Sequence, residues 1–422
     1  MHAPPTALRT VATGQYAGPT VNAYAQLLRT PGVARIIAAQ LVARFPGGMI
    51  SLGFLLHLER IFHSYGSAGL VLAATSVGQA VSGPLTSRWM GRWGMRPVLL
   101  LTVGVCAIAL TTIALAPLPL WGYMAAGLVA GLSYPPIQPA VRTIYPKLVN
   151  SRQLTPLFSL DASAQELIWI AGPVIVTFVA TQISTTIGIL LSVVFLVGGG
   201  AWFIFSPEVG RVRIPRSKRR FGSVLTRPPV LLSTAVGFLL VGACAATEAA
   251  VIATFGEGDS RSGVVLAIWA LASLSGGLAL GRLPVGPWAL AWRMAVVLIG
   301  SALSVVAWEF WSLNAALIIA GLCIAPALAV IFALVSSSVK FSDTAEAYGW
   351  VGTGQLIGAA AGSAVAGFLI DAGGADGGFW AAVAFAAVGT LVPVLFRRAH
   401  PDLRGRDASP LPDTEPVPVQ PS

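Results

Sequence analysis

Charged residues are scarce in this chain of 422 residues, at 10% of the total, and histidine and cysteine are rarer still, with 4 and 3 copies. Soluble globular proteins carry about 25% charged residues, so the composition excludes that class. The cysteines, Cys106, Cys244 and Cys323, all fall inside apolar segments, which excludes a disulfide framework or a metal site built on them. The sequence also lacks an H-E-x-x-H zinc motif and a phosphate-binding P-loop, so nothing in it indicates a metalloenzyme or an ATP-driven pump.

Apolar residues are abundant instead, at 55% of the chain, with a mean hydropathy of +0.79. A helix needs about 20 apolar residues to cross a bilayer core of about 30 Å. Because lipid does not tolerate unpaired backbone groups and the runs lack the alternation of a membrane barrel, we predict an all-α integral membrane protein. Twelve runs are long enough: 33–57, 67–87, 97–116, 120–143, 157–181, 184–206, 229–255, 263–281, 289–308, 312–337, 346–370 and 378–396.

Basic residues between these spans indicate the orientation, because Lys and Arg are retained on the cytoplasmic side. One set of alternate connections holds nearly all of them, with Arg142 and Arg293 counted in it, and the opposite set holds only Arg60 and Arg261. We therefore expect a multi-pass protein of the cell membrane with both termini in the cytoplasm. No cleavable signal peptide is expected, because residues 1–30 are polar and mixed. Since the net charge of +10 lies in these loops, no nucleic-acid partner is expected.

The longest basic connection divides the spans into two sets of six, the arrangement of transporters built from repeated halves. Both ends of the chain are rich in proline and polar residues, which is typical of disorder. The expected organisation is a cytoplasmic tail at 1–30, a six-helix bundle at 31–206, a basic cytoplasmic linker at 207–228, a second six-helix bundle at 229–398 and a disordered cytoplasmic tail at 399–422.

An internal repeat supports this division. GLVLAATSVGQAVSGPLTSR (69–88) aligns without a gap with GVVLAIWALASLSGGLALGR (263–282). The alignment places Gly83 on Gly277 and Arg88 on Arg282, a glycine before an arginine at the predicted cytoplasmic edge. The two halves are therefore predicted to be copies of one six-helix unit related by pseudo-symmetry.

Twelve spans in two repeated halves, a basic central loop and a Gly/Arg connection between the second and third spans together resemble the major facilitator superfamily over about residues 30–398. The resemblance implies a secondary transporter that works by alternating access, without a cofactor. The family signature in this connection is Gly-x-x-x-Asp-Arg-x-Gly followed by two basic positions. The positions that match it in one register or the other, with their repeats, are the candidate gating residues Gly83, Ser87, Arg88, Gly91, Arg92, Gly94, Arg96, Gly277 and Arg282.

The acidic residue of that signature is missing, because Ser87 or Gly91 stands in its place. In the family this carboxylate helps to latch the cytoplasmic side. We therefore expect the cytoplasmic gate of this chain to depend more on backbone capping and packing than on a charge pair. Arg88 and Arg92 are expected to bind carbonyl groups at the end of the second helix, where the helix dipole favours cations.

Gly172 and Pro173 in the fifth span resemble part of the antiporter motif of drug-exporting members. The alternative is a structural bend of that helix. The segments RFPGGM (44–49), YPPIQPAVR (134–142) and QELIWIAGP (165–173) look most like actinobacterial-type efflux permeases of the superfamily.

Charges inside a bilayer are functional candidates because they are costly unless they are paired or hydrated. Arg44, Asp161, Glu166 and Glu248 are the four we select. Arg44 and Glu166 are expected to face each other, either as a structural pair or as part of proton or substrate binding. Glu248 has no evident basic partner, so it is either a proton carrier or a residue that reaches the outer water or accepts hydrogen bonds from polar neighbours. Glu166 and Glu346 also look like repeats of one position.

Polar side chains in the spans are candidates for a central cavity, with bonds to another helix as the alternative. They are Gln40, Gln79, Tyr134, Gln138 and Gln355. Pro135, Pro136 and Pro139 are expected to interrupt the fourth helix, and the stripe of Gly354, Gly358 and Gly362 is expected to pack against another helix.

The function predicted from these features is proton-coupled export of an amphiphilic or drug-like compound by a monomer in the lipid bilayer. The expected partners are a small-molecule substrate and protons, with no metal. Uptake of a sugar or another polar nutrient is the first alternative, although it would favour more polar cavity helices. A membrane-embedded enzyme or a non-transporting sensor is the remote alternative, and the spans contain no nucleophile with a base to support it.

Overall fold

The computed structural model describes residues 20–256, 259–281, 283–307, 309–405 and 408–413. The first six spans are span 1 (Val33–Arg44 and Ile50–Phe62, joined by a 3-10 turn at Phe45–Gly48), span 2 (Tyr65–Trp93), span 3 (Met95–Leu115), span 4 (Leu120–Leu132 and Ile137–Leu148), span 5 (Ser151–Gln182) and span 6 (Thr185–Phe205). The last six are span 7 (Pro228–Phe255), span 8 (Ser260–Leu280), span 9 (Ala289–Val305), span 10 (Phe310–Gly321 and Ile324–Ser338), span 11 (Thr344–Gly373) and span 12 (Ala375–Leu395).

These spans confirm the predicted all-α fold of twelve membrane helices. Within the described ranges, ten helical segments are long and apolar enough to cross a bilayer. The other two are span 9, a shorter apolar helix, and span 4, which is interrupted. Spans 1 to 6 pack mainly on one another, and so do spans 7 to 12, which gives two pseudo-symmetric six-helix bundles.

The break in span 4 lies where the prolines predict it. Its first helix ends at Leu132 and its second begins at Ile137, because Pro135 and Pro136 have no N–H to continue the ladder. Pro139 is different: it lies in the first turn of the second helix, where the missing N–H has no intrahelical acceptor.

Span 10 breaks at the equivalent place, between Gly321 and Ile324. Glycines allow close backbone contact beside both breaks. A Cβ on Gly131 of span 4 would lie 2.0 Å from the carbonyl oxygen of Thr75, and one on Gly321 would lie 2.7 Å from that of Trp269. The contact between spans 2 and 4 is thus repeated between spans 8 and 10, as the internal repeat predicts.

The glycine stripe of span 11 packs against span 7, which confirms the packing interpretation. A Cβ on Gly358 would lie 2.1 Å from the carbonyl oxygen of Phe238, and one on Gly362 would lie 2.1 Å from that of Gly242. No residue with a side chain fits these two positions without a shift of the helices.

The connection between spans 6 and 7 defines one face of the molecule, which we call the linker face. It contains a short helix, Pro207–Arg211, and a 3-10 turn, Ser223–Thr226. The chain before span 1 lies on the same side and forms a helix, Thr20–Arg29, whose Leu27 is buried. The expected tail at 1–30 is therefore ordered from Thr20 onward, and residues 1–19 lie outside the described residues.

The predicted disorder of 399–422 is wrong for 399–405 and 408–413, which we call the C-terminal strap. The strap follows a short 3-10 turn, Arg397–Ala399, and crosses the linker face. Its Leu403 N–H donates to the Val285 carbonyl at 2.9 Å, and its Leu411 N–H donates to the Val339 carbonyl at 2.9 Å. Backbone hydrogen bonds to two loops of the second bundle hold it where composition alone predicts a free tail. Residues 406–407 and 414–422 lie outside the described part.

Candidate functional site

A buried carboxylate, Asp161 of span 5, organises the core of the first bundle. Asp161 is 0% exposed and accepts hydrogen bonds from Gln40 Nε2 at 3.1 Å, Tyr145 Oη at 3.0 Å and Arg142 Nε at 3.1 Å. Arg44 Nη1 lies 3.7 Å from the same carboxylate. Two guanidinium groups from spans 1 and 4 therefore share one carboxylate from span 5, which is how charges persist in a low-dielectric interior.

The predicted pairing of Arg44 with Glu166 is wrong. Arg44 donates to Gln40 at 2.8 Å, and its other terminal nitrogen donates to Gln165. Successive residues of a helix turn by about 100°, so Gln165 lies on the same face as Asp161, whereas Glu166 points about 140° away. Glu166 faces the second bundle for this reason.

Two arginines counted as loop residues from the sequence are buried inside the bundles. Arg142 is 1% exposed, and its guanidinium stacks over the ring of Phe332 at 3.3 Å, a contact that crosses from span 4 to span 10. Arg293 of span 9 is also 1% exposed and donates to the Ala289 carbonyl at 2.8 Å. Counting Lys and Arg between the apolar runs places both arginines in loops, because charge alone cannot distinguish the end of a helix from a loop.

Glu166 lies at the contact between the bundles, in the middle of span 5. It is half-buried and accepts a hydrogen bond from Ser273 Oγ of span 8 at 2.9 Å. Ser273 Oγ in turn accepts from the Ala325 N–H at 3.2 Å, next to the break in span 10. The carboxyl of the first bundle is thus connected through one hydroxyl to the interrupted helix of the second.

Glu248 of span 7 approaches from the second bundle. It is exposed, and within the described ranges it has no hydrogen-bond or ion-pair partner. The thiol of Cys244, one turn earlier, lies within electrostatic range of both Glu248 and Glu166. Glu166 and Glu248 therefore lie on opposite bundles within electrostatic range of one thiol, each without a basic partner in the part of the chain that the structure describes.

The polar residues predicted for the cavity divide into two groups. Gln40 and Gln138 belong to the arginine network, where the amide oxygen of Gln138 accepts from Arg142 Nη2 at 2.8 Å. Tyr134, Gln79 and Gln355 are half-buried. The first group holds helices together, and the other three take no part in that network within the described residues.

The linker face carries a charge pair between the bundles, which we call the latch. Arg88 Nη1 of span 2 lies 2.7 Å from Glu346 Oε2 at the start of span 11. Arg88 also donates to the Arg219 carbonyl of the linker, and Glu346 Oε1 accepts from the Gly222 N–H at 2.7 Å. A second pair joins Arg219 to Asp343 at 3.5 Å.

The latch corrects the expectation that the gate depends on capping and packing rather than on a charge pair. The acidic residue absent from the connection after span 2 is supplied by another helix, through Glu346 and Asp343 of the span 11 region. Glu346 lies in the first turn of span 11, whereas Glu166 lies near the middle of span 5. The two glutamates are therefore not equivalent positions of the repeat.

The repeated glycines Gly83 and Gly277 occupy corresponding contacts between the bundles. A Cβ on Gly83 would lie 3.2 Å from Thr353 Oγ1 of span 11, and one on Gly277 would lie 1.9 Å from Ser163 Oγ of span 5. A hydroxyl crosses at each contact, from Ser159 to the Gly277 carbonyl at 2.5 Å and from Thr353 into span 2. Arg282, the repeat of Arg88, lies outside the described residues.

Other small residues of the connection after span 2 have local roles. Ser87 Oγ donates to the carbonyl of Gly83 at 2.6 Å inside the helix. Gly91 leaves room for the linker, because a Cβ there would lie 3.1 Å from the Pro215 carbonyl oxygen. Gly94 has a φ of 93°, which a residue with a side chain rarely adopts, so it ends span 2 and starts span 3.

Among the arginines of the connection after span 2, Arg96 binds helix carbonyls, and it does so at span 6 rather than at span 2. Its Nε donates to the Ile204 carbonyl at 3.0 Å and its Nη2 to the Ser206 carbonyl at 3.3 Å. Arg92 is exposed beside the ring of Trp93. The expected capping of span 2 by Arg88 and Arg92 is therefore wrong.

Gly172 lets span 5 approach the break in span 1. A Cβ on Gly172 would lie 2.8 Å from the carbonyl carbon of Gly48. Span 5 continues through Pro173 as one helix from Ser151 to Gln182. The Gly-Pro pair thus marks a close helix contact.

Four aromatic rings lie between the carboxyls and the latch, and we call them the aromatic cluster. They are Tyr145, Phe158, Phe332 and Tyr348. Phe158 of span 5 contacts Tyr145 at 6.0 Å and both Phe332 and Tyr348 at 6.4 Å between ring centroids. Because the rings come from spans 4, 5, 10 and 11, the cluster seals the space between the bundles toward the linker face.

Outside the membrane, Glu208 of the linker is tied to Arg35 of span 1 by two hydrogen bonds. Burial raises the pKa of Glu208, but the hydrogen bond and charge of Arg35, a backbone hydrogen bond and the charge of Arg211 together lower it more, so the net pKa lies below its ordinary value. The ion pair anchors the linker to the first bundle.

A family model described as the Major Facilitator Superfamily matches residues 36–308 and 260–420, which together cover most of the chain. The chain belongs to this superfamily. As a superfamily member it is a multi-pass membrane transporter for a small molecule and not an enzyme.

Solved structures of the superfamily share the fold at low sequence identity. The human organic anion transporter MFSD10 (TETRAN) is 17% identical with a TM-score of 0.68, over 87% of this chain and 100% of that one. A bacterial homologue of the iron transporter ferroportin, in an outward-facing state, is 12% identical with a TM-score of 0.69, over 87% and 99%. No curated protein matches the sequence.

Several residues of this superfamily member are missed by sequence reasoning. Asp343 and Arg219 lie in connections where charges are routine, and Ser273 and Tyr145 resemble ordinary polar residues of a helix.

Proposed function

We propose that the chain exports a positively charged or neutral amphiphilic compound in exchange for protons. In this proposal the linker face and both termini are cytoplasmic, the membrane is the cell membrane, and one chain forms the working unit. The observation that carries it is the position of Glu166 and Glu248 on opposite bundles, both within electrostatic range of Cys244 and neither with a basic partner in the described ranges. In the proposal the two carboxyls line one central space.

Protons are the natural partner of two such carboxyls. A carboxyl that has no cation beside it inside a bilayer either binds a proton or attracts a cationic ligand, and the two events exclude each other at one site. Exchange of a proton for a substrate follows directly from this competition. Arg44 and Arg142 take no part, because Asp161 already pairs with both.

The bond between Glu166 and Ser273 gives protonation a route to the motion of the bundles. Ionised Glu166 accepts the Ser273 hydroxyl across the interface at 2.9 Å. Protonation removes the charge of that acceptor and weakens the contact, because hydrogen bonds to ionised groups are the stronger ones. With the latch and the aromatic cluster closed, protons enter from the opposite face, which is the direction that drives export.

The carboxyls also favour one substrate class. An amphiphilic cation finds two acids and apolar helices in the central space, whereas an organic anion, the substrate named for the human neighbour MFSD10, would meet two like charges. The half-buried Tyr134, Gln79 and Gln355 add hydrogen-bonding groups for polar substituents.

The test is transport of ethidium, a lipophilic cation, in a pump-deficient bacterial host and in proteoliposomes with an imposed pH gradient. The unmodified chain is expected to extrude ethidium, and a protonophore is expected to abolish the extrusion. Glu166→Gln and Glu248→Gln are each expected to lower uphill transport at least tenfold, because a proton-binding group is lost, while downhill exchange remains. Asp371→Asn, an exposed acid at the end of span 11, is the matched control.

Two results would contradict the proposal. Extrusion that persists unchanged with the protonophore would remove proton coupling. Uphill transport at the native rate in folded Glu166→Gln and Glu248→Gln protein would remove the role of the carboxyls.

A further inference from the structure

A cavity lies on the linker face, away from Glu166, Glu248 and the latch. It has a volume of about 590 Å³ and opens between the start of span 9 and the chain that follows span 12. Its lining includes Trp288, Trp292, Arg397, Arg398, His400 and Arg404. None of these residues takes part in the transport site described above.

The cavity carries unneutralised positive charge. Arg404 is paired with Asp402 at 2.7 Å, but Arg397 and Arg398 have no carboxylate partner in the part of the chain that the structure describes. The Arg397 guanidinium lies 5.2 Å from the ring centroid of Trp288, which orients it without cancelling its charge. Two adjacent guanidinium groups in a concave site suit a phosphate, because each offers a planar fork of donors.

His400, which also lines the cavity, has a ring nitrogen that needs a hydrogen-bond donor. Its side chain is 3% exposed, and its Nδ1 donates to the Pro401 carbonyl at 3.0 Å. Burial lowers the pKa of His400, so the ring is neutral near pH 7 and its Nε2 is an acceptor. That nitrogen has no hydrogen-bond partner within the described ranges, and a hydroxyl group would satisfy it.

The surroundings are those of a membrane interface. Trp288 is 48% exposed, and beside it Leu395 and Phe396 at the end of span 12 are 67% and 60% exposed. Tryptophan side chains favour the boundary between headgroups and acyl chains, and the apolar residues next to the cavity give acyl chains a surface.

We propose that this cavity binds the headgroup of an anionic glycerophospholipid that carries hydroxyls, such as phosphatidylglycerol, from the leaflet at the linker face. Arg397 and Arg398 hold the phosphate, a headgroup hydroxyl donates toward His400, and the acyl chains follow Leu395 and Phe396. Basic pockets at the ends of membrane helices bind lipid headgroups by this chemistry. Phosphatidylethanolamine is disfavoured because its ammonium group adds positive charge to a basic site.

Native mass spectrometry of the full chain in detergent tests the proposal, with phosphatidylglycerol, phosphatidylethanolamine or inorganic phosphate added. The unmodified chain is expected to retain one phosphatidylglycerol at least tenfold more than phosphatidylethanolamine, and millimolar phosphate is expected not to displace it. The double variant Arg397→Gln/Arg398→Gln is expected to lose this preference. The single variant Arg404→Gln lowers it less, because Arg404 is already paired.

The matched control is Arg216→Gln/Arg220→Gln, which removes the same charge from exposed positions of the same face. It is expected to bind phosphatidylglycerol as the unmodified chain does, and melting temperatures of all variants report folding. Equal retention in the two double variants, equal retention of the two lipids, or displacement by inorganic phosphate would each overturn the lipid site.

Discussion

At the scale of single residues, Asp161 is the carboxylate that holds the core of the first bundle together. It is 0% exposed. Its two oxygens accept hydrogen bonds from Arg142, Gln40 and Tyr145 and form an ion pair with Arg44. Without it, two guanidinium groups would remain in the membrane interior with no counter-charge, which costs far more than the loss of an exposed pair.

Asp161→Asn is therefore expected to destabilise the folded protein by roughly 3–5 kcal/mol, the usual cost of breaking a buried pair. Thermal unfolding in detergent would show it as a lowered melting temperature. Ser163→Ala is the control on the same helix, because Ser163 is equally buried and its hydroxyl has no partner in the described ranges. Similar melting of Asp161→Asn and the unmodified chain would show that the network does not depend on this carboxylate.

Residue-level prediction from the sequence placed four charges inside the spans and paired Arg44 with the wrong carboxylate. Arg44, Asp161, Glu166 and Glu248 all lie inside the spans, as apolar flanks predict. Pairing depends on helix rotation, which one sequence does not specify: a single step from Gln165 to Glu166 turns the side chain from the first bundle to the second. The missing acid of the latch comes from span 11, and only tertiary contact shows that.

At the scale of helices, backbone contacts between the bundles depend on glycine. Gly277 of span 8 has Ser163 of span 5 against it, and a Cβ at this position would lie 1.9 Å from the Ser163 hydroxyl and 3.0 Å from the Ala325 methyl. The contact lies on the linker side of the Glu166–Ser273 hydrogen bond. A side chain added at Gly277 would push spans 5 and 8 apart there and oppose closure of the linker face.

Gly277→Ala is expected to shift the bundles toward an open linker face by about 1–3 kcal/mol, the usual cost of overpacking. The distance between spin labels at Arg92 and Leu283, two exposed residues on opposite bundles, would report it as a longer distance. Gly263→Ala in the same span is the control, because a Cβ there has nothing within 4 Å. The double variant Gly277→Ala/Ser163→Ala should show a shorter distance than Gly277→Ala, because the clash with the Ser163 hydroxyl is removed. An unchanged distance in Gly277→Ala would show that a methyl group at this position does not separate the bundles.

Helices were the most predictable level, because bilayer thickness sets the length of a span and the Pro135–Pro136 pair removes two successive backbone donors. All twelve runs became spans, and the interruption at Pro135 and Pro136 is confirmed. The break in span 10 carried a weaker signal, since Pro326 follows it rather than occupying it. The order of the strap was not predicted, because it depends on backbone hydrogen bonds to loops and amino-acid composition does not indicate these bonds.

At the scale of the whole molecule, the linker face is closed in two layers. The aromatic cluster seals the space between the bundles, and the latch joins span 2 to span 11 outside it. Glu346 is 2% exposed, so its pair with Arg88 is shielded from salt more than a surface pair would be.

Glu346→Gln is expected to open the linker face by roughly ten- to a hundredfold in the equilibrium between states, because a charge-assisted pair worth about 1.5–3 kcal/mol is lost. The same label pair at Arg92 and Leu283 measures it. Asp259→Asn, which weakens an exposed ion pair with Arg261 on the opposite face, is the control and should leave the distance unchanged. An unchanged distance in Glu346→Gln would show that the aromatic cluster alone holds the closed state.

The strap also bears on how the protein is made. Leu411 is bonded to the loop that leads into span 11, through the carbonyl of Val339 and the N–H of Phe341. Chains emerge from the ribosome amino terminus first, so this loop is synthesised and inserted well before its partner exists. The linker face therefore acquires this pair of contacts only after Leu411 has been synthesised, later than any of the twelve spans.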